Sequence, residues 1–256
     1  MPISIDQLKA DQDDAAKVGK ALGLELEPLD DEELDKFGRS FERQFVIGTS
    51  EREIVDILNR HRAEILMGAM VATKQFASRF DGERPDAGKF GMSEIRASFL
   101  GIGDDWEDIT LYSSATVLPF TGGSLQNWIH SGTNLMTGTA GNAVKIGKNA
   151  VHVIVAIGDY FEDSKLESLQ FTIDGKPKTG ITLKRALAHS DFKIKELDVA
   201  FILKYKTTVL GKVFQKPTAT AYPYLLGATF VPENILREYV DPASLPGTTN
   251  DFILTT

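Results

Sequence analysis

Val151-His152-Val153-Ile154-Val155-Ala156-Ile157 decides the fold. Successive side chains of an extended chain point to opposite faces, so Val151, Val153, Val155 and Ile157 make one wholly apolar face, and His152, Ile154 and Ala156 a mixed one. The run predicts a strand with one face laid on a core.

Outward from it the same signal recurs. Strands are predicted at Glu94 to Leu100, Asp108 to Phe120, Val151 to Tyr160, Leu166 to Asp174, Leu197 to Tyr205, Thr207 to Phe214 and Thr218 to Val231. Asp174-Gly175, between Phe171-Thr172-Ile173 and Lys176-Pro177-Lys178, reads as a tight hairpin turn. A parallel sheet needs helices between its strands, and after residue 94 only Thr182 to His189 and Pro232 to Tyr239 carry a helical pattern. The doubly wound fold is therefore rejected. The expectation is a mainly β protein, an antiparallel β-sandwich of jelly-roll type over residues 94–240, preceded by an α-helical N-terminal arm.

The arm, residues 1–80, begins with a weakly amphipathic helix from Ile5 to Leu22 and continues with a second from Asp30 to Phe45, whose Asp31, Glu32 and Glu33 suit its N-terminal dipole. A third helix from Glu51 to Phe80, opened by Ser50 and Glu53 as a capping box, would run about 45 Å at 1.5 Å per residue. Its middle, Ala63 to Ala72, is apolar around much of its circumference, and Gly68, Ala69 and Ala72 are small enough to admit a close neighbour. That cover is either the β-body or a helix of another subunit. Residues 81–93 hold the turn-rich Asp81 to Gly88 and read as a linker. Residues 241–256 read as a tail in which Pro242 and Pro246 precede the apolar Phe252-Ile253-Leu254.

Composition narrows the function. Hydrophobic residues make up 42% and charged residues 25% of the 256, so wholesale disorder is not expected. No run reaches the roughly 18 apolar residues of a membrane span, and the start, Met1-Pro2-Ile3-Ser4-Ile5-Asp6, has no basic region followed by an apolar one, so neither membrane insertion nor a signal peptide is expected. With no cysteine, disulfides, thiolate nucleophiles and cysteine metal sites are excluded. The net charge of −8 is concentrated at the front, where residues 1–45 hold 12 acidic against 6 basic residues. Phosphate neutralisation needs clustered Lys and Arg, so no dedicated nucleic-acid binding is expected.

Nothing in the residues adds up to catalysis. His61, between Arg60 and Arg62, reads as an exposed helix position, and His152 as a hydrogen-bonded structural histidine in an apolar strand. A cupin-type metal site needs a second histidine two positions along the strand, and there stand Ala150 and Ile154. Asp159, Glu162 and Asp163 could join His130 around a hard cation, but carboxylates at a strand end more often make a solvated turn. Asp104-Asp105 with Glu107 read the same way. Gly122-Gly123-Ser124, Gly138-Thr139-Ala140-Gly141 and Gly147-Lys148-Asn149 do not fit a phosphate loop and read as turns and bulges. Phe120, Trp128, Tyr222 and Tyr224 read as packing before they read as a stacking platform. No catalytic, metal or cofactor residues are assigned.

This organisation, a helical arm, a β-sandwich and a free tail, is similar in outline to viral capsid and other virion structural proteins. The likeness is of architecture and transfers no residue role. It implies a self-assembling structural protein, most concretely a viral or phage capsid subunit located in the virion, with copies of itself and other virion proteins as partners. The assembly contacts expected are Leu66, Met67 and Met70 on the third helix and Phe252, Ile253 and Leu254 in the tail. The alternatives are a β-sandwich module that binds carbohydrate or protein, with a cytoplasmic location, and a metal-dependent β-barrel enzyme.

Overall fold

The computed structural model describes residues 3–47, 52–77, 90–95, 118–120, 122–129, 143–159, 165–178, 181–182, 194–216, 218–221 and 223–232. Among them α1 (Ile5–Ala21) starts where the Ser4 hydroxyl accepts the Gln7 N–H at 3.3 Å. At the start of α2 (Asp31–Phe41), Asp30 accepts the Glu33 N–H at 2.8 Å while Glu33 accepts the Asp30 N–H at 3.0 Å, a reciprocal cap for two otherwise unpaired donors. The chain continues through a π-helical turn, Glu42–Ile47. Phe37, Phe41 and Phe45 then fall on one buried face, with ring centroids 6.0 and 5.2 Å apart.

The single third helix expected from the sequence is two, α3 (Arg52–Arg60) and α4 (Arg62–Ala77). They meet at His61, and the division is slight: His61 N–H bonds to Ile57 O at 3.1 Å and Ile65 N–H to His61 O at 2.9 Å.

Twelve strands follow among the described residues: β1 (Phe90–Glu94), β2 (Leu118–Phe120), β3 (Leu125–Ile129), β4 (Val144–Lys145), β5 (Val151–Asp159), β6 (Leu166–Ile173), β7 (Lys176–Pro177), β8 (Ile181–Thr182), β9 (Ile194–Leu203), β10 (Thr208–Gln215), β11 (Ala219–Ala221) and β12 (Pro223–Pro232). One antiparallel sheet has the order β1-β12-β5-β9. A second has the order β3-β10-β6-β7, with β4 beside β10 and β8 beside β6. β2 and β11 form a separate pair. The protein is thus mainly β, with two antiparallel sheets and N-terminal helices. The turn at Asp174-Gly175 joins β6 to β7, with φ of 50° and 70° at its two residues, the left-handed pair that a two-residue hairpin requires.

Two cores separate three layers. Ile154 and Ile157 of β5, Leu203 of β9 and Leu225 of β12 meet Trp128, Leu169, Phe171, Val209 and Val213 of the second sheet. On the other face of the first sheet, Val151, Val153 and Val155 of β5 and Phe230 of β12 meet Leu66, Met67 and Met70 of α4 together with the aromatic face of α2. Of the two covers that the sequence left open for the apolar helix, the structure shows the chain's own sheet. β5 is consequently buried on both faces and not on one. Its face assignment also changes along its length. A bulge opposite Leu226/Gly227 of β12 leaves Val155 as an extra residue, so Val155 and Ala156 both join the helix side and Ile157 joins the core between the sheets.

Two glycines make these approaches possible. A Cβ on Gly68 would overlap Val153 Cγ2, so its absence lets α4 settle onto β5. Gly227, at φ 151°, lies at the bulge, where a Cβ would run into the Val153 carbonyl oxygen.

Strand boundaries differ from expectation at several points. A strand at Phe90–Glu94, which buries Phe90 and Met92 on the helix side, was not expected; the strands expected at Glu94 to Leu100 and Asp108 to Phe120 lie mostly outside the described residues. β3 was not expected, and the run from Thr218 divides into β11 and β12. The expected helices at Thr182 to His189 and Pro232 to Tyr239 lie almost wholly outside the described residues, as do most of the 81–93 linker, Ser50 with its expected capping box, and the 241–256 tail.

Candidate functional site

The densest polar construction in the described structure lies where the α3–α4 junction meets β9. His61, expected to be exposed, is 6% accessible. Its Nε2 donates to Glu196 Oε1 at 3.0 Å and its Nδ1 donates to Glu64 Oε2. Carboxylates only accept, so a ring that serves two of them carries both protons and is an imidazolium. Glu196 is gripped on its other side by Arg60, whose Nε and a terminal nitrogen reach its two oxygens at 2.9 and 2.5 Å, a bidentate fork. Glu64 has its second oxygen on the backbone, accepting the Ala200 N–H at 3.1 Å.

The local fold explains the placement. Glu64 lies one turn beyond His61 on α4, so the two side chains meet on one helical face. β9 pairs with β5 at Glu196 and again at Phe201, and the register shifts opposite Val155 over the four residues between, of which Asp198 and Val199 are exposed while Leu197 and Ala200 are buried. Ala200 N–H is thereby turned from the ladder toward Glu64. Further along α4, Gln75 makes a second tie, donating to Lys148 O and Ala150 O at 2.9 and 3.1 Å and accepting the Tyr205 N–H at 3.0 Å.

Charge in the cluster balances, with Arg60 and His61 against Glu64 and Glu196. The Glu64 hydrogen bond, and after it the charges of Glu64 and Glu196, hold the His61 pKa above its ordinary 6.5 although burial opposes this. The Arg60 fork holds Glu196 below the usual carboxylate range, again against partial burial. With both ring nitrogens engaged, the arrangement ties the start of α4 to β9.

His152 is the other buried histidine. Its Nδ1 and the Thr229 hydroxyl lie 2.9 Å apart, Nε2 meets no partner among the described residues, and burial alone pushes its pKa down to about 3. It is the neutral structural histidine that the sequence suggested.

The remaining sequence candidates do not converge. Leu66, Met67 and Met70 are buried inside the chain against the first sheet, so they are not a surface in the folded subunit. Phe252, Ile253 and Leu254 lie outside the described residues, as do His130, Glu162, Asp163, Asp104, Asp105, Glu107 and Tyr222. Asp159 is buried at the end of β5, and no group of three possible metal ligands occurs among the described residues. Trp128 packs edge-on against Phe171 at 6.1 Å in the core between the sheets, and Tyr224 against the helix-side core. No helix of the described residues is long and apolar enough to cross a membrane. No protein-family model matches the chain, and no curated protein matches it.

Proposed function

We propose that this chain is a self-assembling structural subunit built on a jelly roll, most concretely a viral or phage coat protein. One observation carries the reading: the strand pairs nest. Taking β1, β3, β5, β6, β8, β9, β10 and β12 as eight successive strands, the first pairs with the last, the second with the seventh, the third with the sixth and the fourth with the fifth. Folding that long hairpin over joins the eighth to the third and the seventh to the fourth, and β12·β5 and β10·β6 are those pairs. Such nesting is what a double Greek key requires, and it supports reading the body as a jelly roll, an architecture that serves as capsid, lectin and cupin domains. The interior of a cupin holds its metal; here Trp128, Phe171, Leu203 and Val213 fill that space, which favours a structural or binding role.

Assembly also needs surfaces that monomers leave open. Val18 in the last turn of α1 and Leu22 at its C-cap are 45% and 54% accessible, and Val199 in the β9 bulge is 55% accessible. The Phe252-Ile253-Leu254 segment adds an apolar stretch beyond the body. Sedimentation and particle imaging of the purified full chain, beside a version truncated after Asp241, test the reading. A discrete large particle or ring supports it, and a smaller species on truncation assigns the contact to the tail. A monomer at every accessible concentration would sink it and leave the carbohydrate- or protein-binding module.

A further inference from the structure

We infer that copies of this chain join head to tail, the lysine-rich end of one sandwich docking on the acidic helical layer of the next. The inference rests on the self-assembly proposed above and adds which two surfaces meet.

Three turns that are distant in sequence come together at one end of the sandwich. Residues 143–150 lead through β4 into β5, Asp174 to Lys178 close the β6–β7 hairpin, and Lys204 to Thr208 join β9 to β10. They are stitched side by side: Lys145 lies opposite Thr208, the Lys206 N–H bonds to Ile146 O at 3.0 Å, and the Asp174 N–H bonds to Thr208 O at 2.9 Å. Between them they hold six lysines and one aspartate, and that aspartate accepts the Thr208 N–H at 2.8 Å. Lys145, Lys176 and Lys178 are exposed and form no ion pair among the described residues, and Lys206 lies 5.3 Å over the ring of Tyr205.

The helical layer carries the opposite excess. Residues 5–41 hold 11 acidic against 5 basic residues. Lys9 and Lys17 pair with Asp31 and Asp14, while Asp13 and Glu32 beside them are exposed and form no ion pair among the described residues. The two surfaces do not neutralise each other within one chain. Asp11 of α1 is tied to Arg62 at the start of α4 and the lysine end to Gln75 near its finish, so the helix separates them by about 20 Å at 1.5 Å per residue. That is more than twice the screening length of about 8 Å at physiological salt. A second copy brings the surfaces together, and a contact between unlike surfaces repeats from copy to copy into a ring, a shell or a filament. A polyanion is the weaker occupant: the three turns hold no arginine to fork a phosphate, and it would leave the acidic surface unmatched.

Sedimentation of the full chain over a concentration series tests the contact with two variants. Lys145→Glu with Lys178→Glu makes both surfaces acidic, and Asp13→Lys with Glu32→Lys makes both basic. Each is expected to raise the concentration at which copies associate by at least about tenfold, and mixing the two in equal amounts, which restores unlike surfaces, brings association back. Should a melt show either pair unfolded, Lys176→Glu and Asp6→Lys take their places. Wild-type association that neither variant weakens overturns the proposal and leaves self-assembly standing on another contact. A wild-type chain that stays monomeric sinks self-assembly itself and this proposal with it. If the basic-end variant associates as the wild type does but loses affinity for a fluorescent oligothymidylate, the lysine end belongs to nucleic acid and the proposal is likewise overturned.

Discussion

One added carbon meets different resistance at Gly68 and at Gly227. At Gly68 the obstacle is the tip of a valine side chain, so Gly68→Ala shifts α4 slightly off β5 and costs about 1–3 kcal/mol. At Gly227 the obstacle is backbone and φ is unfavourable for any side chain, so Gly227→Ala costs more than about 3 kcal/mol. Denaturant midpoints that rank the two the other way would contradict the bulge geometry. His152, whose pKa moves opposite to that of His61, gives a pH prediction. The unfolded ring takes up a proton below 6.5 and the folded one only near 3, so stability falls through that interval by up to about 1.4 kcal/mol per pH unit. Melts of the wild type and His152→Asn converge in acid if this holds; parallel curves would show that another group sets the acid limit. His152 was legible because the apolar run on either side of it signals a buried strand, although its partner Thr229 is 77 positions away. His61 was misread for the converse reason: Arg60 and Arg62 made its surroundings look solvated, whereas Glu196, which buries it, is 135 positions away.

Among the elements, periodicity located what local pattern controls. β5, β6, β9 and β10 were readable as apolar runs, while Leu125-Gln126-Asn127-Trp128-Ile129 was hidden by its two amides. No pattern told α4 from a helix that packs on a neighbouring subunit, because apolar surface does not name its partner. Met70→Asp tests the answer: a carboxylate in a fully buried, wholly apolar contact has no partner, and a loss of more than about 4 kcal/mol is expected in a chemical melt. The β3–β10 pairing can be tested covalently because the chain has no thiol of its own. Leu125 and Phe214 are opposite each other, both partly accessible, and strand partners lie within disulfide reach. The double variant Leu125→Cys with Phe214→Cys should close an intramolecular bridge on mild oxidation; two persisting free thiols would mean the strands are not neighbours.

For the molecule as a whole, the helical segment is less separable than an arm. Removing residues 1–80 would bare Val151, Val153, Val155 and Phe230 on the first sheet, so a chain of residues 90–256 is expected to be insoluble or unfolded, as circular dichroism would show. A soluble, cooperatively melting product would restore the separable arm. The layer order was beyond sequence reading because it depends on pairings between distant strands, β1 with β12 above all. That same pairing bears on how the chain is made. The ribosome delivers α4 before every described strand and β12 after all the others, so Leu66, Met67 and Met70 await a platform that is incomplete until β12 is made. Contacts of such sequence separation fold slowly and leave apolar surface open meanwhile. Nascent chains halted after β10 should therefore be cut by protease within α4, and chains halted well beyond β12 should resist, making synthesis of β12 the event that closes the helical layer.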